Sequence, residues 1–470
     1  MTQLLRVKTF MWPLIGHLSR LRMPWLVSRA LLALTHKLTL PSAGPPAASK
    51  PPRRRILILS IDKAGVRQDI EEAFANTEDY ELVVWPSYAL RSIARALLAP
   101  GLSHDRYVTN DPAVEASKLS YRQFLREVWK RLTTSYPIDA VVGVNFGYYV
   151  QREFAAALEE SGTPFIVLQK ENLNGMTARR ADFWRIVYEK GRGKFTGRKI
   201  LVYNDTEREL QISSGIVDAG NVIVTGMPRL DRIHRWRRDH AGSEIKRAQV
   251  LFFGFGRKDK VPGRNLKKLK AKGLLTTAAE LEEAGEQWSE LSWDQLCAGA
   301  CRGIAAFASS RPDVQVIVKT KGQTTQAQET TELLRGGEDL PANIQVIRGG
   351  DPFELITESS VVVGFNTTGL IEAVAAGKPV VVPWFGEVHD ETMRDLILDL
   401  ADAVDYAHSP GELVERIVAQ LAPGATVPAE LQASSTKMLR RLVGNDDGGA
   451  GARVLQAVRG EIGPPPAALR

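Results

Sequence analysis

Ser359–Glu387 reads SSVVVGFNTTGLIEAVAAGKPVVVPWFGE. An apolar run, Ser360–Gly364, enters a small polar turn, Asn366-Thr367-Thr368-Gly369, and an apolar helical stretch, Thr367–Ala376, leaves it. Gly377-Lys378-Pro379 stops that helix, and a second apolar run, Pro379–Val382, begins. Strands without polar alternation, joined by a helix, form a βαβ unit of a parallel sheet covered on both faces.

The same alternation extends in both directions. Strands are predicted at Val250–Phe255, Val314–Lys319 and Asn343–Ile347, with helices near Ser292–Ser309, Glu391–Leu400 and Gly411–Leu421. An earlier series has strands at Ile56–Ile61, Glu81–Trp85, Asp139–Val144, Pro164–Leu168, Lys199–Tyr203 and Asn221–Thr225. Helices near Tyr88–Leu98, Ser117–Ser135 and Tyr149–Ser161 fall between them. The fold class is therefore α/β, two Rossmann-like domains facing across a cleft and joined near residue 240. A chain of 470 residues is too long for one ordinary core, which agrees with two domains. The expected division is 1–40 as a basic amphipathic segment, 41–55 as a Pro-rich linker, 56–240 and 241–445 as the two domains, and 446–470 as a closing helix and tail.

Charge separates the ends of the chain from its body. The net charge is +7, yet residues 1–55 hold ten Lys/Arg and no Asp or Glu, leaving 51 basic and 54 acidic residues elsewhere. The basicity thus belongs to the N-terminal segment, and a nucleic-acid-binding domain is not indicated. Leu4, Val7, Met11, Leu14, Leu18, Leu21 and Trp25 follow helical spacing, and the charge-free run Thr9–Ser19 is too short to span a bilayer. A helix lying on an anionic membrane surface is expected, on the inner face of the cytoplasmic membrane. Cys297 and Cys301 are the only cysteines, four apart in a helical stretch, and are expected as buried apolar residues in a reducing cytoplasm.

Local physics makes the Asn366-Thr367-Thr368-Gly369 turn an anion site: free N–H groups, the positive end of the helix dipole and two hydroxyls converge there. Glu372, one turn on, can accept hydrogen bonds from a ribose diol. The bland alternative is an ordinary N-cap. The chain has no G-x-x-x-x-G-K-[ST] loop, no G-x-G-x-x-G fingerprint and no Asp-x-Asp pair. ATPase, dinucleotide-dehydrogenase and chelated-metal readings lose their usual sequence support.

The run Gly364–Val380 resembles the nucleotide-binding half of GT-B glycosyltransferases, in particular bacterial capsule and surface-polysaccharide biosynthesis proteins and CDP-glycerol glycerophosphotransferases. Gly226-Met227-Pro228-Arg229-Leu230-Asp231 is similar to a G-x-P-R-x-D segment of that family, and Val316-Ile317-Val318-Lys319 to its strand ending in Lys. Asp447-Gly448 with Ala452-Arg453-Val454 is similar to its closing helix, and Gln169-Lys170-Glu171 fits the first domain. Two departures, Lys319-Thr320-Lys321 where relatives show K-P-H and Asn366-Thr367-Thr368 where they show D-Y-S-S, favour a sugar donor over CDP-glycerol.

The resemblance implies a nucleotide-sugar co-substrate, no further cofactor, no metal, and a glycan or lipid-linked acceptor. Donor contacts are expected from Arg229, Lys319, Lys321, Arg348, Gly349, Asn366, Thr367, Thr368, Gly369 and Glu372. A general base is expected from Glu171 or Asp62, with His104 a further candidate. Rival readings are a glycerophosphotransferase, a sugar-nucleotide 2-epimerase and a non-catalytic nucleotide-sugar-binding scaffold. Two basic runs, Arg179–Lys199 and Arg257–Lys272, each carry eight Lys/Arg; a solvated face or docking to anionic lipid would account for them.

Overall fold

The computed structural model describes residues 2–38, 40, 54–62, 65–75, 77, 79–104, 107–170, 172–240, 248–259, 261, 291–322, 324–422 and 429–463. The chain forms two α/β domains, each on a parallel sheet. The first sheet contains β1 (His36–Lys37), β2 (Arg54–Leu59), β3 (Tyr80–Trp85), β4 (Ala140–Gly143), β5 (Phe165–Leu168), β6 (Lys199–Val202) and β7 (Val222–Val224). Their order is β1-β3-β2-β4-β5-β6-β7, parallel throughout except that β1 runs antiparallel to β3. The second contains β8 (Gln249–Phe253), β9 (Gln315–Thr320), β10 (Ile344–Arg348), β11 (Val361–Gly364), β12 (Val380–Pro383) and β13 (Asp405–Ala407), ordered β10-β9-β8-β11-β12-β13.

Counted from its own first strand, the second sheet runs 3-2-1-4-5-6, the order of a dinucleotide-type fold. The strand order reverses between β8 and β11, so the loops at their carboxyl ends diverge and leave room there for a ligand. The Asn366–Gly369 turn follows β11 and therefore sits at this reversal. In the first sheet the equivalent point lies between β2 and β4, where Asp62 and the Asn145–Tyr149 turn follow.

Several elements differ from the sequence expectation. The N-terminal segment is not a free amphipathic appendage over its described side chains. Helices Thr2–Arg20 and Pro24–Leu34 form a hairpin, and Ile15, Val27 and Leu31 are fully buried in the first domain's core. Trp12 stacks on Tyr88 at 5.8 Å, and the Trp85 indole N–H donates to Thr35 Oγ1 at 2.8 Å. The face turned inward is centred on Ile15, offset from the stripe that spacing alone picks out. The 41–53 part of the Pro-rich linker lies outside the described residues; its basic end is not linker but strand, with Arg55 paired to Glu81 and laid over the Tyr136 ring.

The helix expected over Glu391–Leu400 stops at Arg394. Asn366 explains this: its side-chain amide donates to Leu396 O at 2.9 Å and its carbonyl accepts from Leu398 N at 3.0 Å. These bonds replace the intrahelical ones and pull the segment onto the turn. Cys297 and Cys301 are buried free thiols on helix Asp294–Ser310.

The chain ends on the domain where it began. Asp231 accepts from the N–H groups of Ala450 and Gly451 at 3.1 and 2.8 Å and from the Asn445 amide at 2.7 Å, capping helix Ala450–Ile462. Val454, Val458 and Ile462 of that helix bury against Val66, Ile70 and Phe74. The Gly226–Asp231 and Asp447–Val454 motifs thus form one clasp, closed by Arg453 donating to Thr225 O at 2.8 Å and to Gly444 O at 3.0 Å.

Lys378 illustrates how the second domain is held. Its ammonium donates to Thr357 O and Ser359 O at 2.8 and 2.7 Å and lies 4.9 Å from the Trp236 ring centroid. Burial lowers its pKa from 10.5 to about 8. Between those values the unfolded chain holds a proton that the folded chain has released, so this group's contribution rises with pH. Urea unfolding from pH 7 to 10.5 should show wild type gaining stability relative to Lys378→Met above about pH 8; a pH-independent difference would refute the assignment.

Candidate interdomain site

The second domain's reversal point is built around Phe253. In register, Gly364, Phe253 and Lys319 lie side by side across β11, β8 and β9, and so point to one face. Helix Thr368–Ala375 closes over that face. A Cβ on Gly369 would stand 2.7 Å from the Phe253 ring and one on Gly364 3.0 Å from Phe253 Cβ, so only glycine lets the helix start this close to the sheet. Asn366 has a positive φ of 52°, which Asn tolerates better than most residues. Thr367 is the N-cap, its Oγ1 accepting from Gly369 N at 3.4 Å.

Glu372 lies one turn along and meets the first domain. The Arg229 Nε donates to Glu372 Oε1 at 3.1 Å. On its other side Arg229 is held by Asp69: its backbone N–H and Nη1 both reach the carboxylate at 3.0 Å. The Tyr203 hydroxyl completes the group, 3.0 Å from Asp69 Oδ2 and 3.1 Å from Arg229 Nη1. The three charged side chains are 4%, 13% and 7% exposed for Asp69, Arg229 and Glu372. Burial pushes the Asp69 carboxyl up, opposed by Arg229 and Tyr203. Burial alone would lower the Arg229 guanidinium, but Asp69, Tyr203 and Glu372 together raise it, so it stays charged.

A second pair joins the domains beside the first. Arg232 grips Asp351 with two N–H···O bonds of 3.0 and 2.8 Å and stacks over Phe353. Burial would raise Asp351, yet Arg232 lowers it. The Lys319 ammonium lies in the field of both Glu372 and Asp351, but makes no hydrogen bond or ion pair among the described residues. Burial lowers its pKa, with Lys321 acting in the same direction and the two carboxylates opposing. A half-buried ammonium without a bonding partner is a cost to the fold that an anionic ligand would relieve.

Arg180 is a second buried cation that is only partly bonded, on helix Ala178–Ile186 of the first domain. Its Nη1 donates to Leu396 O at 3.4 Å, the same carbonyl that Asn366 holds. Its Nε is buried without a partner, and burial lowers its pKa to about 10. Thr177 donates to Asp395 O at 3.1 Å beside it. The first domain therefore presents an under-bonded guanidinium next to the Asn366–Gly369 turn.

The remaining expected residues are placed as follows. Lys321 is exposed and paired with Asp259 at 2.8 Å. Arg348 is on the edge strand β10, three strands from β11, and donates to Thr324 Oγ1 at 3.0 Å; Gly349 follows with a positive φ of 81°. Asp62 is exposed after β2 and accepts from the Ser87 hydroxyl at 2.8 Å. Glu171 lies outside the described residues. The Nδ1 of His104 accepts from Tyr149 N at 3.2 Å, and its ring lies 4.9 and 5.4 Å from those of Tyr148 and Tyr149.

The structure brings together Arg229, Glu372 and Lys319 beside the Thr367 turn, and it gives Asn366 a bracing role. Asp69, Tyr203, Asp351, Arg232 and Arg180 were missed. Asp69 lies in the first turn of helix Val66–Phe74, which the sequence analysis did not mark, and Arg180 was one cation within the basic run Arg179–Lys199.

No family model and no curated relative matches the chain. Among solved structures it is similar to a UDP-N-acetylglucosamine 2-epimerase from Listeria monocytogenes, described as putative, at 12% identity over 88% of this chain and 97% of that one, TM-score 0.47. It is also similar to MurG of Acinetobacter baumannii (13%, 87% and 100%, 0.42) and to a UDP-forming trehalose-phosphate synthase of Burkholderia xenovorans (13%, 87% and 98%, 0.42). Likeness at this level says nothing of which reaction the chain performs.

Replacing Arg229 by Met would leave Asp69 and Glu372 as buried carboxylates without a counter-charge. Urea denaturation should show a loss of about 3–5 kcal/mol, and Asp69→Asn in the same chain should recover part of it. Full additivity of the two changes would mean that the residues are not coupled.

Proposed function

We propose that the chain is a glycosyltransferase of the GT-B kind, transferring a sugar from a nucleotide-sugar donor to a surface-polysaccharide or lipid-linked glycan acceptor. The observation that carries this reading is Lys319: a half-buried ammonium without a bonding partner among the described residues, beside a threonine-capped helix start and one strand from the reversal of a 3-2-1-4-5-6 sheet.

In this reading the diphosphate of the donor lies against the N–H group and hydroxyl of Thr368, with Lys319 and Arg180 on its flanks. As the glycosidic bond breaks, negative charge collects on the departing diphosphate, and these groups neutralise it without a metal. The Oε1 of Glu372 is engaged by Arg229, which leaves Oε2 to accept from a ribose hydroxyl. Arg229 then acts through Glu372 as a positioning residue. On the acceptor side Asp62, at the first domain's strand reversal, would take the proton of the attacking hydroxyl.

Lys319→Met tests the donor site because it separates function from fold. Nucleoside diphosphates (UDP, GDP, CDP) titrated into wild type should give one preferred ligand, and at 100 times its dissociation constant the stabilisation should be about 2.7 kcal/mol. In Lys319→Met that ligand should bind at least about tenfold more weakly, while the unliganded protein melts at the same temperature or higher. Equal affinity, or no nucleotide binding by wild type, would overturn the reading.

Peripheral attachment to the inner face of the cytoplasmic membrane belongs to the same proposal. Among the described residues no helix is long and apolar enough to cross a membrane. The tip of the N-terminal hairpin leaves Leu21 55% and Trp25 45% exposed, with Arg20, Arg22 and Arg29 also exposed around them. Arg22 bonds Ser120 at 2.7 Å, next to the exposed Leu119. Apolar and cationic side chains sharing one tip suit an anionic lipid surface. Trp25→Glu should abolish co-sedimentation with phosphatidylglycerol vesicles and leave the melting temperature unchanged; retained sedimentation would remove the hairpin tip from the contact.

A further inference from the structure

Between helix Glu391–Arg394 and the short turn Ala401–Ala403 the chain runs without helix or strand, although Leu396, Ile397, Leu398 and Leu400 are buried. Side chains from four places hold its backbone instead. Asn366 takes Leu396 O and Leu398 N, and Thr177 and Arg180 of the first domain donate to Asp395 O and Leu396 O. Arg441, on helix Ala429–Val443, donates to Asp399 O at 2.8 Å and pairs with its carboxylate at 2.9 Å. The Tyr406 hydroxyl donates to Ala401 O at 3.1 Å. One short segment therefore touches the donor turn, the first domain and the helix that leads into the returning crossing at Val443.

The backbone at its anchor points is strained. Asn366 and Ala401 are two of the four non-glycine residues with positive φ among the described residues, at 52° and 47°. An Ala in this conformation has no side-chain bond to offset the steric cost, so only the surrounding ties impose it. Of those ties the one from Arg180 is the longest, at 3.4 Å, and Arg180 keeps a donor unused: its Nε is buried without a partner. An anion in the turn would accept from that Nε while Nη1 kept Leu396 O, and a charged acceptor would hold the guanidinium more firmly than a lone carbonyl does.

We infer, resting on the donor site proposed above, that Asp395–Ala401 is a strap through which occupation of the donor turn tightens the contact with helix Ala178–Ile186 of the first domain. With the turn empty, Arg180 meets the strap through one long bond. With a diphosphate there it bridges ligand and strap, and the ordering of the turn, of Leu396–Leu398 and of helix Ala178–Ile186 reinforce one another. Coupling of this kind is reciprocal, so loosening the strap weakens the ligand. Among the described residues Arg441 bonds Asp399 alone, at the strap's far end from the turn.

Hydrogen–deuterium exchange of the full chain, with and without saturating UDP, GDP or CDP, tests the strap. In wild type the nucleotide that binds should slow exchange at least about threefold in 366–372, 395–401 and 178–186. The Leu398 amide, which donates to Asn366, is the direct reporter. Arg180→Met, saturated with the same nucleotide, should keep the slowing in 366–372 and lose it in the other two segments. Arg441→Met should bind that nucleotide at least about twofold more weakly. Slowing confined to 366–372 in wild type, slowing undiminished in 178–186 in Arg180→Met, or unchanged affinity in Arg441→Met would overturn the strap and leave the donor site standing. If none of the three nucleotides binds, the donor site falls and the strap falls with it.

Discussion

One guanidinium fixes how the two domains meet. Arg229 sits between a carboxylate of its own domain and one of the other, and a hydroxyl completes its coordination. Buried charges tolerate little displacement, because each depends on partners at hydrogen-bond distance to offset its lost hydration. Any rearrangement that separated Glu372 from Arg229 would orphan Glu372 and leave Arg229 with Asp69 and Tyr203 alone. Arg232 and Asp351 repeat the arrangement nearby, and the Thr177 and Arg180 bonds to Asp395 and Leu396 add a third junction. The helix that starts at Thr368 is thus set by its own sheet on one side and by the opposite domain on the other.

Sorting the cations by what already holds them is the key to the chemistry. Arg229, Arg232 and Lys321 are neutralised by carboxylates. Lys319 and Arg180 have no carboxylate partner among the described residues, and each is at least half-buried. Side chains of the first kind locate backbones; those of the second kind remain available to a ligand. The sequence shows both as the same letters, so a list of basic residues near a phosphate-like turn cannot separate them.

That distinction marks how much was legible. Apolar runs such as Val361–Gly364 and Ile56–Leu59 fixed the α/β class and the two-domain order, because a strand buried on both faces has one recognisable composition. The capped turn at Thr367 was legible for the same local reason. What depended on distant partners was not. His36–Lys37 is a strand only because Val83 and Val84 lie beside it, and the break after Arg394 exists only because Asn366 reaches across to Leu396 and Leu398. Asp69, 160 residues before Arg229 in the chain, carries no local sign of their pairing.

The clasp at Asp231 has a topological consequence. Met227 N donates to Val443 O at 2.9 Å and the Asn445 amide donates to Met227 O at 2.9 Å, so the outgoing and returning crossings of the chain run side by side. The second domain is, in effect, a long excursion spliced into the first, hung from two adjacent cords. Trimming the protein from its carboxyl terminus through helix Ala450–Ile462 would strip a packing face from the amino-terminal domain, while leaving the sheet that precedes it in the chain whole.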